Sequence, residues 1–152
     1  MKILASAIAI LASAGLAASA SAASLTPATG TFTGTGTTNL TKGSLTIPCT
    51  ANFTGHTTAG VGTIDTATFS GSGGLCSLIS KTGTWTANAT GAGTATISGV
   101  AVNASLFGTC GPSTINVTIS SGGLITFSNQ TLSPNCVING SVQTSPVVNA
   151  IP

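Results

Sequence analysis

Charge is nearly absent from this sequence. Beyond residue 22 the only formally charged side chains are Lys42, Asp65 and Lys81; Glu, Arg and Tyr are missing, and the single histidine is His56. Each absence removes a class of activity. One carboxylate cannot supply the acid–base pair of ordinary glycoside hydrolysis. The formal net charge of +2 falls by one if Lys2 is lost, and so few cations cannot follow a phosphate backbone, which excludes nucleic acid as a partner. There is no C-x-x-C spacing and no second histidine to join His56, so no metal site is expected. A Ser–His–Asp triad could be drawn only from His56, Asp65 and one of many serines. His56 lies in the turn-like Thr54-Gly55-His56-Thr57-Thr58, and no G-x-S-x-G elbow exists. His56 therefore reads as an exposed loop histidine and Asp65 as a solvated strand or turn residue. Gly34-Thr35-Gly36 and Gly71-Ser72-Gly73-Gly74 lack the Lys and helix of a phosphate loop and read as turns. No catalytic, cofactor-binding or metal-binding residue is assigned, and the chain is expected not to be an enzyme.

What is present begins with a secretory pattern. Met1-Lys2 is followed by an apolar run from Ile3 to Leu16 and then by small residues, with Ala20-Ser21-Ala22 as the expected cleavage site and Ala18-Ser19-Ala20 as the alternative. The run falls short of the ~20 residues of a membrane span, and no later segment has the length or apolarity to cross a bilayer. The Ala-rich character of this helical signal peptide looks bacterial, and a secreted, extracellular or cell-surface location is expected. Four cysteines, Cys49, Cys76, Cys110 and Cys136, follow it. An even count in an exported chain implies disulfides. Of the three pairings open to four cysteines, Cys49–Cys76 and Cys110–Cys136 is preferred because the enclosed segments are similar in length and pattern.

Helical periodicity is absent after the signal. Leu45, Ile47, Cys49, Ala51 and Phe53 alternate with Ser44, Thr46, Pro48, Thr50, Asn52 and Thr54, the period of a strand with one buried face. Pro48 suits an edge position, because it donates nothing to a ladder. The pattern returns at Trp85-Ala87-Ala89, Ala95-Ile97, Val100-Val102-Ala104-Leu106 and Ile115-Val117-Ile119, with shorter candidates at Thr66–Ser70, Leu124–Ser128 and Val137–Val142. Gly-rich breaks at 71–74, 91–93 and 122–123 separate them. The expectation is an all-β fold: a single antiparallel β-sandwich or barrel with two disulfides. Three regions are expected: the signal peptide (1–22), a low-complexity Thr/Gly arm or edge strand (23–43), and the disulfide-stabilised β domain (44–152). Large apolar side chains are few, with five Phe and one Trp. The core is thus thin, which makes the disulfides and docking onto a neighbour physically reasonable. Trp85 reads first as a core anchor and secondly as an exposed apolar contact for a hydrocarbon chain, a glycan or a partner subunit.

The segments Ile47-Pro48-Cys49-Thr50-Ala51-Asn52-Phe53-Thr54-Gly55 and Phe69-Ser70-Gly71-Ser72-Gly73-Gly74-Leu75-Cys76-Ser77-Leu78-Ile79, followed by Thr84-Trp85, resemble the bacterial secreted activators of alkane oxidation, the Pra-type proteins. The motifs cover about forty residues. Thr84 stands where that family often has a Pro. The resemblance implies an extracellular accessory protein that promotes growth on long-chain alkanes by dispersing or contacting hydrocarbon, and it implies no catalytic residues. The alternative is a structural subunit of a matrix, filament or adhesin, suggested by low charge and strand edges. Hydrocarbon and further copies of the chain are the partners these readings admit. Intact-mass measurement of the secreted protein should find a chain beginning after Ala22 and lacking four hydrogens relative to its reduced form.

Overall fold

The computed structural model describes residues 21–105 and 107–152. Most of the expected signal segment, and Leu106, lie outside the described residues. The strands are β1 (Ser24–Thr26), β2 (Gly30–Lys42), β3 (Leu45–Thr58), β4 (Val61–Ser70), β5 (Ile79–Thr82), β6 (Trp85–Gly91), β7 (Thr94–Ala104), β8 (Gly108–Ile119), β9 (Leu124–Leu132), β10 (Cys136–Ser145) and β11 (Asn149–Ile151). One 3-10 turn, Cys76–Leu78, precedes β5.

Eight of these strands form a closed antiparallel barrel. Successive pairs run β2–β3–β4–β6–β7–β8–β9–β10, and β10 pairs with β2 to complete the ring. Of the two architectures the sequence admits, the structure is the barrel. The wall follows the alternation closely. Ile47, Cys49 and Ala51 are buried while Thr46, Pro48, Thr50 and Asn52 are exposed. Trp85 and Ala87 face in, and so do Ile115, Val117 and Ile119. The outside is a field of hydroxyls and amides, with cross-strand neighbours such as Thr33 and Thr54, Thr35 and Asn52, and Thr54 and Thr66. Two of these pairs hydrogen bond directly: Thr35 Oγ1 donates to Asn52 Oδ1 at 3.0 Å, and the Thr54 and Thr66 hydroxyls lie 2.6 Å apart.

From Gly30 onward the segment expected to be a loose arm or edge strand is instead part of the barrel wall. β2 is paired along its whole length with β3 and, from Thr33 to Lys42, with β10. Its low complexity has a packing reason. Thr31, Thr33, Thr35 and Thr37 point outward, and the inward positions between them include Gly34 and Gly36. A Cβ on Gly36 would lie 1.8 Å from the Ser141 carbonyl oxygen of β10, so the closing pair approaches too tightly for any side chain there. Pro48 likewise lies in an interior strand. It is tolerated because β4 joins β3 only from Thr50 onward, leaving one side of Pro48 outside the ladder. The two patterns read separately at Ala95-Ile97 and Val100–Ala104 belong to one strand, β7. A register shift at Gly99, with φ of +72°, moves the inward residues from odd to even numbers.

The wall has two unzipped stretches. In one, β8 pairs with β9 only at Thr118–Thr126 and Ile119–Ile125, and across the rest the Gln130 and Ser113 side chains accept from the Asn116 and Ser133 amides. The second lies beside β4. β4 pairs with β6 only from Val61 to Ile64, and β5 pairs only with β7. Between Asp65–Ser70 and β5 no ladder pairing is formed among the described residues.

The two ends are closed differently. At one end Cys49–Cys76 ties the β4–β5 connection to β3, and Cys110–Cys136 joins β8 to β10, with Cα separations of 5.7 and 5.8 Å. The expected pairing is thus the one formed. Each link encloses a loop that, in the chain-entropy account, is worth about 3–4 kcal/mol. Lys42 spans the same end and donates to the Phe107 carbonyl. At the other end β1 and β11 pair as a separate two-stranded sheet. Leu25, Val148 and Ala150 from this region are buried. The Leu25 amide donates to the Gly60 carbonyl at 2.8 Å, and the Gly93 amide to Ala150 at 3.0 Å, which fastens the lid to two wall hairpins.

The substitution Gly36→Ala should destabilise the barrel by at least ~2 kcal/mol, because backbone must move to admit a methyl group. Gly122→Ala, whose Cβ would meet nothing nearer than the Ser120 hydroxyl at 3.9 Å, should be within about 0.5 kcal/mol of the parent. Urea unfolding midpoints of the two variants check this.

Candidate functional site: an apolar barrel interior

Inward-facing side chains do not fill the barrel completely. A cavity of about 90 Å³ remains. It is walled by Phe32, Phe53, Phe69, Trp85 and Phe127 together with aliphatic residues and the polar Thr38, Asn39 and Thr144. An eight-stranded barrel is about the size at which side chains either just fill the interior or leave room for one small ligand. Here the alternation supplies many short inward residues, among them Gly34, Ala51, Ala87 and Ala95, and the shortfall in volume is the result. An unfilled space of this size costs about 2 kcal/mol in lost contacts.

The cavity offers water almost nothing. Thr144 Oγ1 donates to the Gly123 carbonyl at 2.8 Å and accepts from the Val148 amide at 3.0 Å. Thr38 Oγ1 donates to the Cys49 carbonyl at 3.3 Å. Among the described residues no buried side-chain polar atom lacks a partner. So largely apolar a space stays dry and favours apolar guests.

An aromatic cluster stands at the unzipped stretch beside β4. Phe53 of β3 meets Phe69 of β4 edge to face and Trp85 of β6 at a tilt, with ring centroids 6.2 Å apart in both cases. Phe53 and Phe69 are half-buried. Trp85 is 6% exposed, which places it inside the barrel as a core anchor and not at the outer surface. Its indole N–H donates to the Thr82 carbonyl at 3.0 Å, and Lys81 Nζ lies 5.5 Å from the ring centroid.

The structure brings His56 and Asp65 together. Nδ1 of His56 lies 2.8 Å from Oδ2 of Asp65. His56 occupies β3 rather than a turn, and Asp65 is the extra residue of a bulge in β4 opposite Thr54 and Gly55. Both side chains stand on the outside of the barrel, 43% and 45% exposed. Asp65 is the one side-chain partner of His56 among the described contacts, and no serine hydroxyl is bonded to it. No trio of His, Cys, Asp or Glu is placed to hold a metal ion among the described residues.

One apolar feature was not legible in the sequence. Of the large apolar side chains exposed among the described residues, Val61, Leu124, Val147 and Ile151 all lie at the lidded end, and only Leu78 lies at the disulfide end. Val61 and Leu124 begin strands after tight hairpins, and Val147 and Ile151 belong to the C-terminal stretch. No periodicity could have grouped them, because barrel closure alone brings these three segments to one end.

Residues 1–152, the whole chain, match the alkane oxidation protein activator PraA/PraB-like family, and the chain belongs to that family. No curated protein and no solved structure matches it. The two disulfides fit an extracellular or periplasmic protein. Among the described residues no helix is long and apolar enough to cross a membrane.

Trp85→Ala should cost about 3–5 kcal/mol by enlarging the interior void. Asp65→Asn, which alters only an exposed side-chain contact with His56, should cost under ~1 kcal/mol. Thermal and urea unfolding of the oxidised proteins check the contrast.

Proposed function

We propose that this PraA/PraB-like protein is an exported accessory factor for alkane use that works by contacting hydrocarbon at an interface and performs no catalysis of its own. Membership of the alkane oxidation activator family across the full chain is the observation that carries the reading. The chemistry of the barrel supports it. The only His–Asp pair sits on the exposed outer wall without a nucleophile bonded to it. The outer surface is almost free of charge, so approach to an oil phase strips few ions of water. The lidded end presents Val61, Leu124, Val147 and Ile151, a set of apolar side chains that can enter an oil surface while the Thr-rich wall stays in water.

Purified mature protein should adsorb to hexadecane droplets and lower the oil–water tension. Val147→Asp combined with Ile151→Asp should weaken adsorption several-fold and leave the unfolding midpoint nearly unchanged, since both side chains are already exposed. Absence of adsorption by the parent protein would overturn the reading. Equal adsorption by the double variant would remove the lidded end as the contact surface.

A further inference from the structure

We propose that the barrel interior is a binding site for the terminal few carbons of a linear alkyl chain, which enters through the unzipped stretch between β4 and β5 and leaves its remainder in that seam. The inference deepens the hydrocarbon-contact reading and rests on it for the class of guest, whereas the site itself follows from geometry.

Three observations converge. The first is the cavity of about 90 Å³, largely apolar in lining, whose hydroxyls are already paired to protein. So largely apolar a lining favours a hydrocarbon or the tail of an amphiphile over a polar guest. The second is the break between β4 and β5, which among the described residues no hydrogen bond crosses, unlike the break between β8 and β9. From Asp65 to Ser70 one edge of β4 has no ladder partner, and β5 leaves its edge toward β4 equally free. Everywhere else along β4, parting the wall would break backbone hydrogen bonds. Here only side-chain contacts need to move, and regions closed that way open at the lowest cost. The third is what closes the break. Phe53, Phe69 and Trp85 form a chain of ring contacts there, and all three also line the cavity. Rotation of the half-buried Phe69 ring would join the cavity to the outside along a path of apolar atoms.

The seam also has one polar marker. Lys81 on β5 lies beside Trp85, and its ammonium donates to the Gly83 carbonyl at 2.5 Å. A fatty acid or alcohol would thus leave its head near the only cation on this side while the end of its tail lies inside. An alkane needs no such group, and the proposal commits to the tail.

Trp85 is the only tryptophan in the chain, so its emission reports on this site alone. Titration of the oxidised, full-length secreted protein with 1-bromodecane should quench that emission saturably at about one molecule per barrel, because bromine must come into contact with the ring. Phe69→Ala should accelerate the onset several-fold in stopped-flow mixing. Val142→Phe and Val102→Phe, two independent fillings of the cavity, should each weaken quenching roughly tenfold or more, about the effect of excluding two methylenes. A filled variant is counted only if its urea transition remains cooperative, and either variant suffices. Failure of the parent to be quenched overturns the proposal, as does quenching of equal strength in a folded, filled variant, which would place the guest on the outer surface. Droplet adsorption distinguishes the two readings. Adsorption without quenching leaves interface contact standing and removes the interior site. Quenching without adsorption does the reverse.

Discussion

The ladder between β2 and β10 is the contact on which the structure depends. Ten consecutive residue pairs, from Cys136 opposite Lys42 to Ser145 opposite Thr33, join the first wall strand to the last. Without this ladder the sheet would be open, with two long edges of unpaired amides and carbonyls and an apolar face bare to water. With almost no charged residues, the chain has few of the devices by which exposed sheet edges are usually protected from pairing with other chains. Closure solves both problems together. It pairs the edges and turns the apolar face inward. That is why Gly36, at the tightest point of the closing pair, has no room for a methyl group. It also weakens the view of the protein as a subunit assembled through strand edges, since few such edges remain.

Closure also explains the odd composition. A barrel of eight strands presents a long outer circumference and a narrow interior. Thr suits the first, being β-branched and able to bond across strands. Small residues suit the second, where strands crowd the axis. A chain made chiefly of Thr, Ser, Ala and Gly is therefore an economical description of this shape. The scarcity of large apolar residues leaves a void at the centre, while the disulfides lend rigidity to the end at which pairing is least complete. Function is drawn from the same features. A wall almost without charge surrounds a dry interior, and the few exposed apolar side chains are gathered at one end.

Much of the fold was readable from the residues, for a physical reason. In β3, β6 and β8 the buried and exposed sets alternate as the pleat requires, so Ile47, Trp85 and Ile115 could be placed inside before any coordinates existed. The disulfide pairing followed from near-equal spacing. Elsewhere local pattern misled. Gly in β2 signalled looseness, yet Gly34 and Gly36 serve a close approach to a strand about a hundred residues away in sequence. The patterns at Ala95-Ile97 and Val100-Val102-Ala104 looked separate, yet they belong to β7, with a register shift at Gly99 between them. His56 was read as a loop residue because Gly55 precedes it. The apolar interior was implied by the inward residues, but its incomplete filling and the unzipped seam beside Phe69 depend on register. Register is set by pairing partners and not by the strand's own sequence.

The order in which the chain is made gives the β2–β10 ladder a further meaning. Thr33 bonds the Ser145 carbonyl across 112 positions, so the first strand of the wall waits for nearly the last before its second edge is satisfied. Adjacent hairpins can flicker into existence as the polypeptide lengthens, but the cylinder cannot shut until β10 has been made. Such late, long-range completion makes folding slow. The topology itself thus keeps the first nine strands short of a shut cylinder, and so pliable, until β10 arrives.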